Sequence, residues 1–170
     1  MSLETTDREK IIRVTPVLVE DSAYADGDVL FVATEIPNAV LREGGTSKLV
    51  SAYIVDEDSQ AALVQLIFTQ KATNFGAIHE TANVSFDDAV ASNICGVGWI
   101  SSDADTVDID NFKIHQANAY GTHANSEFAL PFLLQAESAS TSVYVQGIIG
   151  DGTPTYTNTD SIQLILHIAY

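Results

Sequence analysis

Four histidines and one cysteine have the widest chemical repertoire in this 170-residue chain. They are His79, His115, His123, His167 and Cys95. The histidines form neither H-x-H nor H-E-x-x-H, and the adjacent pair His79 and Glu80 is not specific for a metal. The lone Cys95 can make neither an internal disulfide nor a Cys-based zinc site. We therefore predict structural histidines, an inert buried Cys95, and no metal or cofactor.

Two acidic runs raise the alternative of Ca²⁺ binding through carboxylates. They are Asp56-Glu57-Asp58 and the run 103–110, in which Asp108 and Asp110 alternate along the chain and would share one face of a strand. Neither run has the central Gly and terminal Glu of an EF-hand loop. Charged residues in such runs are normally exposed, so we predict solvated loop faces at both places.

Nucleophilic catalysis needs a nucleophile, a base and an orienting group, and the chain has no G-x-S-x-G elbow. Gly96-Val97-Gly98 is too short to form a phosphate cradle. A glycosidase needs two carboxylates, but among 23 Asp and Glu residues some pair always exists. The sequence therefore predicts that the protein is not an enzyme. A depolymerase or a cupin-like metal enzyme is the catalytic alternative.

Loop aromatics offer the further alternative of glycan binding. Tyr120 and Tyr156 lie in polar stretches and are predicted to be exposed, whereas Trp99, between Val97 and Ile100, is predicted to lie in the core. Exposed aromatics also serve protein interfaces. The sequence leaves these two uses open.

Charge is the sharpest compositional feature, since 23 acidic residues face only 7 Lys and Arg, for a formal net charge of −16. Such a chain has too few cations to replace phosphate counterions, which excludes a nucleic-acid binder and argues against an anionic membrane as partner. Three of the cations, Arg8, Lys10 and Arg13, lie close to the N-terminus and are candidates for partner binding. The polar start lacks the apolar segment of a signal peptide, which predicts synthesis in the cytoplasm.

Short apolar, β-branched runs separated by turn residues dominate the rest of the chain. The predicted strands are 11–19, 29–32, 49–55, 61–69, 97–101, 107–109, 112–116, 128–134, 142–149 and 161–169. Within 61–69 the residues Val64, Leu66 and Phe68 share one face, and the last strand alternates in the same way. One short helix is predicted over 85–94, with Ser85 as N-cap and Gly96 as its stop signal.

These elements predict an all-β fold, a jelly-roll-like antiparallel β-sandwich with one short helix. The predicted boundaries are an N-terminal arm over residues 1–12 and a single sandwich domain over residues 13–170.

Several segments follow one another in a recognisable order. They are Val14-Thr15-Pro16, the run 21–28, the strand–loop–strand 51–68, the run 83–88, the Gly-x-Gly before Trp99, and Thr153-Pro154-Thr155-Tyr156 before the last strand. In this order they resemble the capsid decoration, or cement, proteins of tailed phages. None of the segments is a catalytic signature.

The resemblance implies a jelly-roll body on the outer surface of the phage head, bound to the major capsid protein and stabilising contacts between its subunits. It also implies a homotrimer at threefold or quasi-threefold positions, and it supplies no active-site residues. The expected location is therefore the virion, and Arg8, Lys10 and Arg13 are expected to contact the shell or neighbouring copies. The alternative is a receptor- or glycan-binding jelly-roll module of a phage fibre or tail.

Overall fold

The computed structural model describes residues 9–101, 106–117 and 130–170. Ten β-strands and one helix lie in these ranges. In chain order they are β1 (Glu9–Val14), β2 (Val29–Ile36), β3 (Thr46–Asp56), β4 (Leu63–Thr69), α1 (Phe86–Ala91), β5 (Ile94–Ser101), β6 (Thr106–Ile109), β7 (Phe112–Gln116), β8 (Phe132–Gln135), β9 (Val143–Asp151) and β10 (Ile162–Ala169). A helix of six residues is too short to cross a membrane, and the described ranges contain no longer one.

The strands form two antiparallel sheets. The large sheet runs β1–β10–β3; the first part of β3 then pairs with β8, and its last part pairs with β7, which carries β6. The small sheet runs β2–β9–β4–β5. Setting the β6–β7 hairpin aside, the two four-stranded sheets have the strand order of a jelly roll. The predicted sandwich is confirmed.

The core lies between the sheets and follows the period-two pattern of the strands. In β4, Val64, Leu66 and Phe68 are buried as predicted. In β10, the inward positions Ile162 and Leu166 are buried, while Gln163 and His167 are only partly covered. Alternation therefore identifies the face that packs in both strands.

The N-terminal segment differs from its predicted boundaries. Residues 9–12, assigned to an arm, belong to β1 and pair with β10, and Ile12 is buried in the core. The strand then ends at Val14 instead of continuing to residue 19, because Pro16 has no amide hydrogen for a ladder. Lys10 and Arg13 are thus exposed residues of a sheet-edge strand, and Arg8 lies outside the described residues.

The predicted helix is present but shorter. Ser85 is its N-cap and accepts a hydrogen bond from the Asp88 amide, as the capping pattern predicted. The helix ends at Ala91, and Asn93, with a φ of 53°, turns the chain into β5. Gly96 is not the stop signal; it lies within β5, where a side chain would meet the Phe132 ring. The glycine is there for close packing between strands.

Candidate functional site

A row of largely buried polar side chains lies at one end of the sandwich. Asp56 ends β3 and His115 lies on neighbouring β7, and both side chains point inward, with exposed fractions of 3% and 6%. His115 Nε2 is 3.7 Å from Asp56 Oδ2, and His115 Nδ1 is 2.9 Å from the Thr106 hydroxyl on β6. Three adjacent strands therefore place a hydroxyl, an imidazole and a carboxylate in one line.

The Asp56 carboxylate is also held by the turn that follows β3. Its two oxygens accept hydrogen bonds from the backbone amides of Asp58 and Gln60, each at 2.9 Å. The turn includes Ser59 with a φ of 54°, a conformation that non-glycine residues adopt only with support. Asp56 thus closes the turn, and its buried charge is compensated by several donors.

The Thr106–His115–Asp56 order resembles a hydroxyl–base–acid relay. The cavity beside it has a volume of about 10 Å³, with His115, Asp56 and Tyr156 in its wall. That volume is about the space one water molecule occupies, and it leaves no room for a substrate. The geometry supports a structural role for this chain of residues.

Tyr156 is buried, and the prediction that it is exposed was wrong. The loop that carries it is tied to the turn after β3, because Thr157 donates from its amide and its hydroxyl to Asp58 at 2.9 and 2.7 Å. Thr155 N also donates to the Gln60 side chain at 3.1 Å. The Tyr156 ring packs edge-on against Tyr24, with centroids 6.1 Å apart. Tyr156 is therefore unavailable for stacking on a glycan, and Tyr120 lies outside the described residues.

The first acidic run was predicted to be a solvated loop face, which is wrong for Asp56: that residue is buried, and Asp58 holds the loop that carries Thr157. Partial burial would raise the pKa of Asp58, but hydrogen bonds from Ser161 and Thr157 outweigh it and lower the pKa. Within the described ranges no group of three or more His, Cys, Asp or Glu side chains is arranged to hold a metal ion. In the second run Asp108 and Asp110 are exposed as predicted, while 103–105 fall outside those ranges.

The remaining candidates also pack structurally. His79 lies against Tyr24, with ring centroids 4.7 Å apart, and its Nε2 is 3.1 Å from the Ala23 carbonyl oxygen. His167 lies beside Tyr53 on the outer face of the large sheet. Cys95 is half-buried, and burial raises the pKa of its thiol, which disfavours the reactive thiolate. His123 lies outside the described residues.

Trp99 is only half-buried, so its predicted core position was wrong. Ile100 faces inward on β5, and alternation turns Trp99 to the outer face of the small sheet. There its ring covers Gly150 so closely that a side chain at that glycine would collide with it.

Two apolar surfaces without a partner in the described structure were missed by the sequence reasoning. Helix α1 presents Phe86 and Val90, with exposed fractions of 81% and 57%. The outer face of the large sheet presents Ile11 and Val50 beside a groove of about 340 Å³. The spacing of Phe86 and Val90, four residues apart on a helix of acids and alanines, was the available signal.

Comparisons with protein-family models, with curated proteins and with solved structures find no match to this chain.

Tyr156 gives the fold a dependence on alkaline pH. Burial, and then the charge of Asp56, raises the pKa of the phenol above its ordinary value near 10. The neutral phenol therefore stabilises the fold below pH 10, and this contribution is lost as the pH rises through the folded-state pKa. We expect Tyr156→Phe to move the alkaline unfolding midpoint to higher pH while changing stability at pH 7 by about 1 kcal/mol or less.

Circular dichroism across a pH titration measures this midpoint. Tyr144→Phe, at a half-buried tyrosine on β9, is the matched control and is expected to leave the midpoint in place. An unchanged midpoint in Tyr156→Phe would contradict the assignment.

Proposed function

We propose that the protein is a capsid decoration protein, which binds the outer surface of a tailed-phage head and stabilises contacts between major capsid protein subunits. One observation carries the proposal: internal amide donors satisfy the buried Asp56 carboxylate, whereas apolar side chains such as Phe86 and Ile11 face solvent. Exposed apolar surface of this kind serves protein–protein contact. The exposed apolar side chains are therefore suited to binding another protein.

The charge of the chain fits an outer position on the particle. A net charge of −16 keeps the protein away from packaged DNA and favours a basic protein surface as partner. In this proposal the protein is made in the host cytoplasm, acts in the virion and binds neither nucleic acid nor membrane. Lys10 and Arg13 on the edge strand β1, together with Arg8, remain the proposed contacts to the shell or to neighbouring copies.

The stabilisation of the shell by the bound protein follows from mass action. A protein that binds the assembled, expanded shell and not its separated subunits stabilises the shell by its binding free energy. The shell has threefold and quasi-threefold positions, and a closed ring of three copies matches that symmetry. We therefore propose a homotrimer as the working form.

The glycan-binding alternative loses one of its two residues, because Tyr156 is buried. Among the described residues, Thr106, His115 and Asp56 come nearest to a catalytic arrangement, and the cavity beside them holds about one water molecule. The absence of enzymatic activity stays a prediction, to be checked with a hydrolase panel and metal analysis.

Heating purified heads tests the proposal. Heads that carry the protein are expected to rupture at a higher temperature than heads assembled without it, and adding the purified protein back is expected to restore that temperature. DNA release detected with an intercalating dye reports rupture. Equal rupture temperatures with and without the protein would contradict a cementing role.

A further inference from the structure

Helix α1 projects from the small sheet as an unburied apolar knob. None of its six residues is buried, and Phe86 and Val90, four positions apart, lie on one side of it. A folded domain gains nothing from holding a phenylalanine ring 81% exposed. Exposed aromatic anchors of this kind contribute strongly to protein–protein binding when a partner pocket covers them.

The surroundings of the knob define the chemistry of that partner. Asp87 and Asp88 occupy the first turn of α1. Both carboxylates are exposed, and Lys71, whose amide donates to the Ser92 carbonyl at the end of the helix, pairs with Glu137 at 3.8 Å. A cationic rim would therefore complement the first turn of the knob, and two knobs would place like charges together.

The same chain carries such a pocket on its other sheet. A groove of about 340 Å³ lies on the outer face of the large sheet, where β1, β10 and β3 adjoin. Ile11 and Val50, 48% and 46% exposed, form the apolar part of the groove. The rest of it is lined by Glu9, Lys10, His167 and Ile168. Its volume falls within the range of clefts that accept small organic groups, so it has room for one aromatic ring.

The charge of this outer face differs from that of the whole chain. The outward positions of the described strands of the large sheet carry one acid, Glu9, and two cations, Arg13 and Lys48. Lys10 adds a third cation at the edge of the groove. In a protein with a net charge of −16, this face has a small excess of cations, although Glu9 lies beside Lys10 in the groove, and its net charge is opposite to that of Asp87 and Asp88.

We infer that copies of this chain associate head to tail, with Phe86 and Val90 of one copy seated in the Ile11–Val50 groove of the next. Asp87 of the first copy then faces Lys10 of the second. Two different surfaces meet in such a contact, so repetition closes a ring when the rotation allows it. The inference rests on the proposed homotrimer and names the residues that would form it.

The first test compares masses in solution by sedimentation velocity over a concentration series. Wild-type protein is expected to form closed oligomers, and the double variant Phe86→Ser/Val90→Ser is expected to dissociate on the order of thirtyfold more readily, as for loss of a hot-spot residue. Its fold is expected to persist, because α1 has no buried residue. Val107→Ser, at a valine equally exposed on the distant strand β6, is the matched control and should not dissociate.

A mixing experiment distinguishes head-to-tail contact from a symmetric one. Val50→Asp blocks the groove but leaves the knob intact, and the Phe86→Ser/Val90→Ser variant has the opposite defect. Each alone is expected to be monomeric, and a mixture is expected to form 1:1 dimers that cannot close. A charge swap adds a second readout: Asp87→Lys and Lys10→Glu should each weaken association, and together they should restore it.

Three results would overturn the inference: a wild-type protein that is monomeric throughout, a double variant that still forms the wild-type oligomer, or a mixture without dimers. Deletion of residues 2–8 is tested in parallel. If that deletion alone abolishes association, the N-terminal residues make the contact and the inference is wrong. Binding of each variant to phage heads is measured separately, so that a failed interface and a failed decoration role are distinguished.

Discussion

Replacing Asp56 by Ala is expected to lower the free energy of unfolding by about 3 kcal/mol, since each buried donor left without its acceptor costs about 1–3 kcal/mol. The carboxylate lies 3.7 Å from His115 Nε2 and accepts hydrogen bonds from the amides of Asp58 and Gln60. Alanine leaves these groups without that acceptor at a buried position. The turn after β3 would also lose the group that closes it.

Urea denaturation at pH 7 measures this effect. Asp56→Asn keeps one carbonyl acceptor and is expected to fall between the wild type and Asp56→Ala. Glu57→Ala, at the exposed neighbour, is the matched control and should change stability by about 0.5 kcal/mol or less. If Asp56→Ala is as stable as the control, the interactions of Thr106, His115 and Asp56 do not contribute to the stability of the fold.

Phe31→Ala is expected to be comparably destabilising, by about 3–5 kcal/mol. Phe31 is fully buried on β2, and its ring lies over Gly147, its cross-strand partner on β9. Removing the ring leaves a cavity between the sheets and uncovers the glycine backbone. The loss therefore combines transfer of the ring to water with a packing defect.

The reverse change provides the control for this contact. Gly147→Ala places a methyl group where the Phe31 ring lies, and overpacking of this kind costs about 1–3 kcal/mol. In the Phe31→Ala background the space is free, so the same methyl group should cost much less. Thermal and urea unfolding of the double-mutant cycle measure this coupling, and strictly additive effects would contradict the described packing.

The fold was predictable because local pattern and tertiary packing agree. Alternation in β4 and β10 identified the buried faces, and the Ser85 cap identified the start of the helix. The strand order was not predictable in detail, because it depends on pairings such as β1 with β10, which lie at opposite ends of the chain. A period-two pattern predicts which face of a strand is buried, but it does not predict which strand pairs with it.

The errors at Tyr156 and Gly96 occurred where contacts between residues far apart in sequence decide the structure. Tyr156 lies in a polar loop, yet contacts from Asp58, 99 residues away from Thr157, hold that loop against the sandwich. The error at Trp99 was different: its sequence neighbours are apolar, but alternation with the inward Ile100 turns it outward, a local signal that was overlooked. Gly96 resembled a helix stop but serves the packing of Phe132.

The buried polar residues Asp56 and His115 at the end of the sandwich could be predicted only in part from the sequence. Asp56 follows Ala52 and Ile54 at the inward period of β3, so its burial could have been predicted from alternation. Its partner His115 could not, because the pairing of β3 with β7 spans a long stretch of chain. The knob on α1 could be predicted from the spacing of Phe86 and Val90, whereas the lack of a covering element among the described residues required the structure.

Imaging of phage heads tests the central claim, a decoration role, most directly. Cryo-electron microscopy of heads with and without the protein is expected to differ by a sandwich-sized density on the outer surface, three copies around each threefold or quasi-threefold position. The density should return when purified protein is added to bare heads. Identical head surfaces in the two samples, or density confined to the tail, would contradict the proposed function.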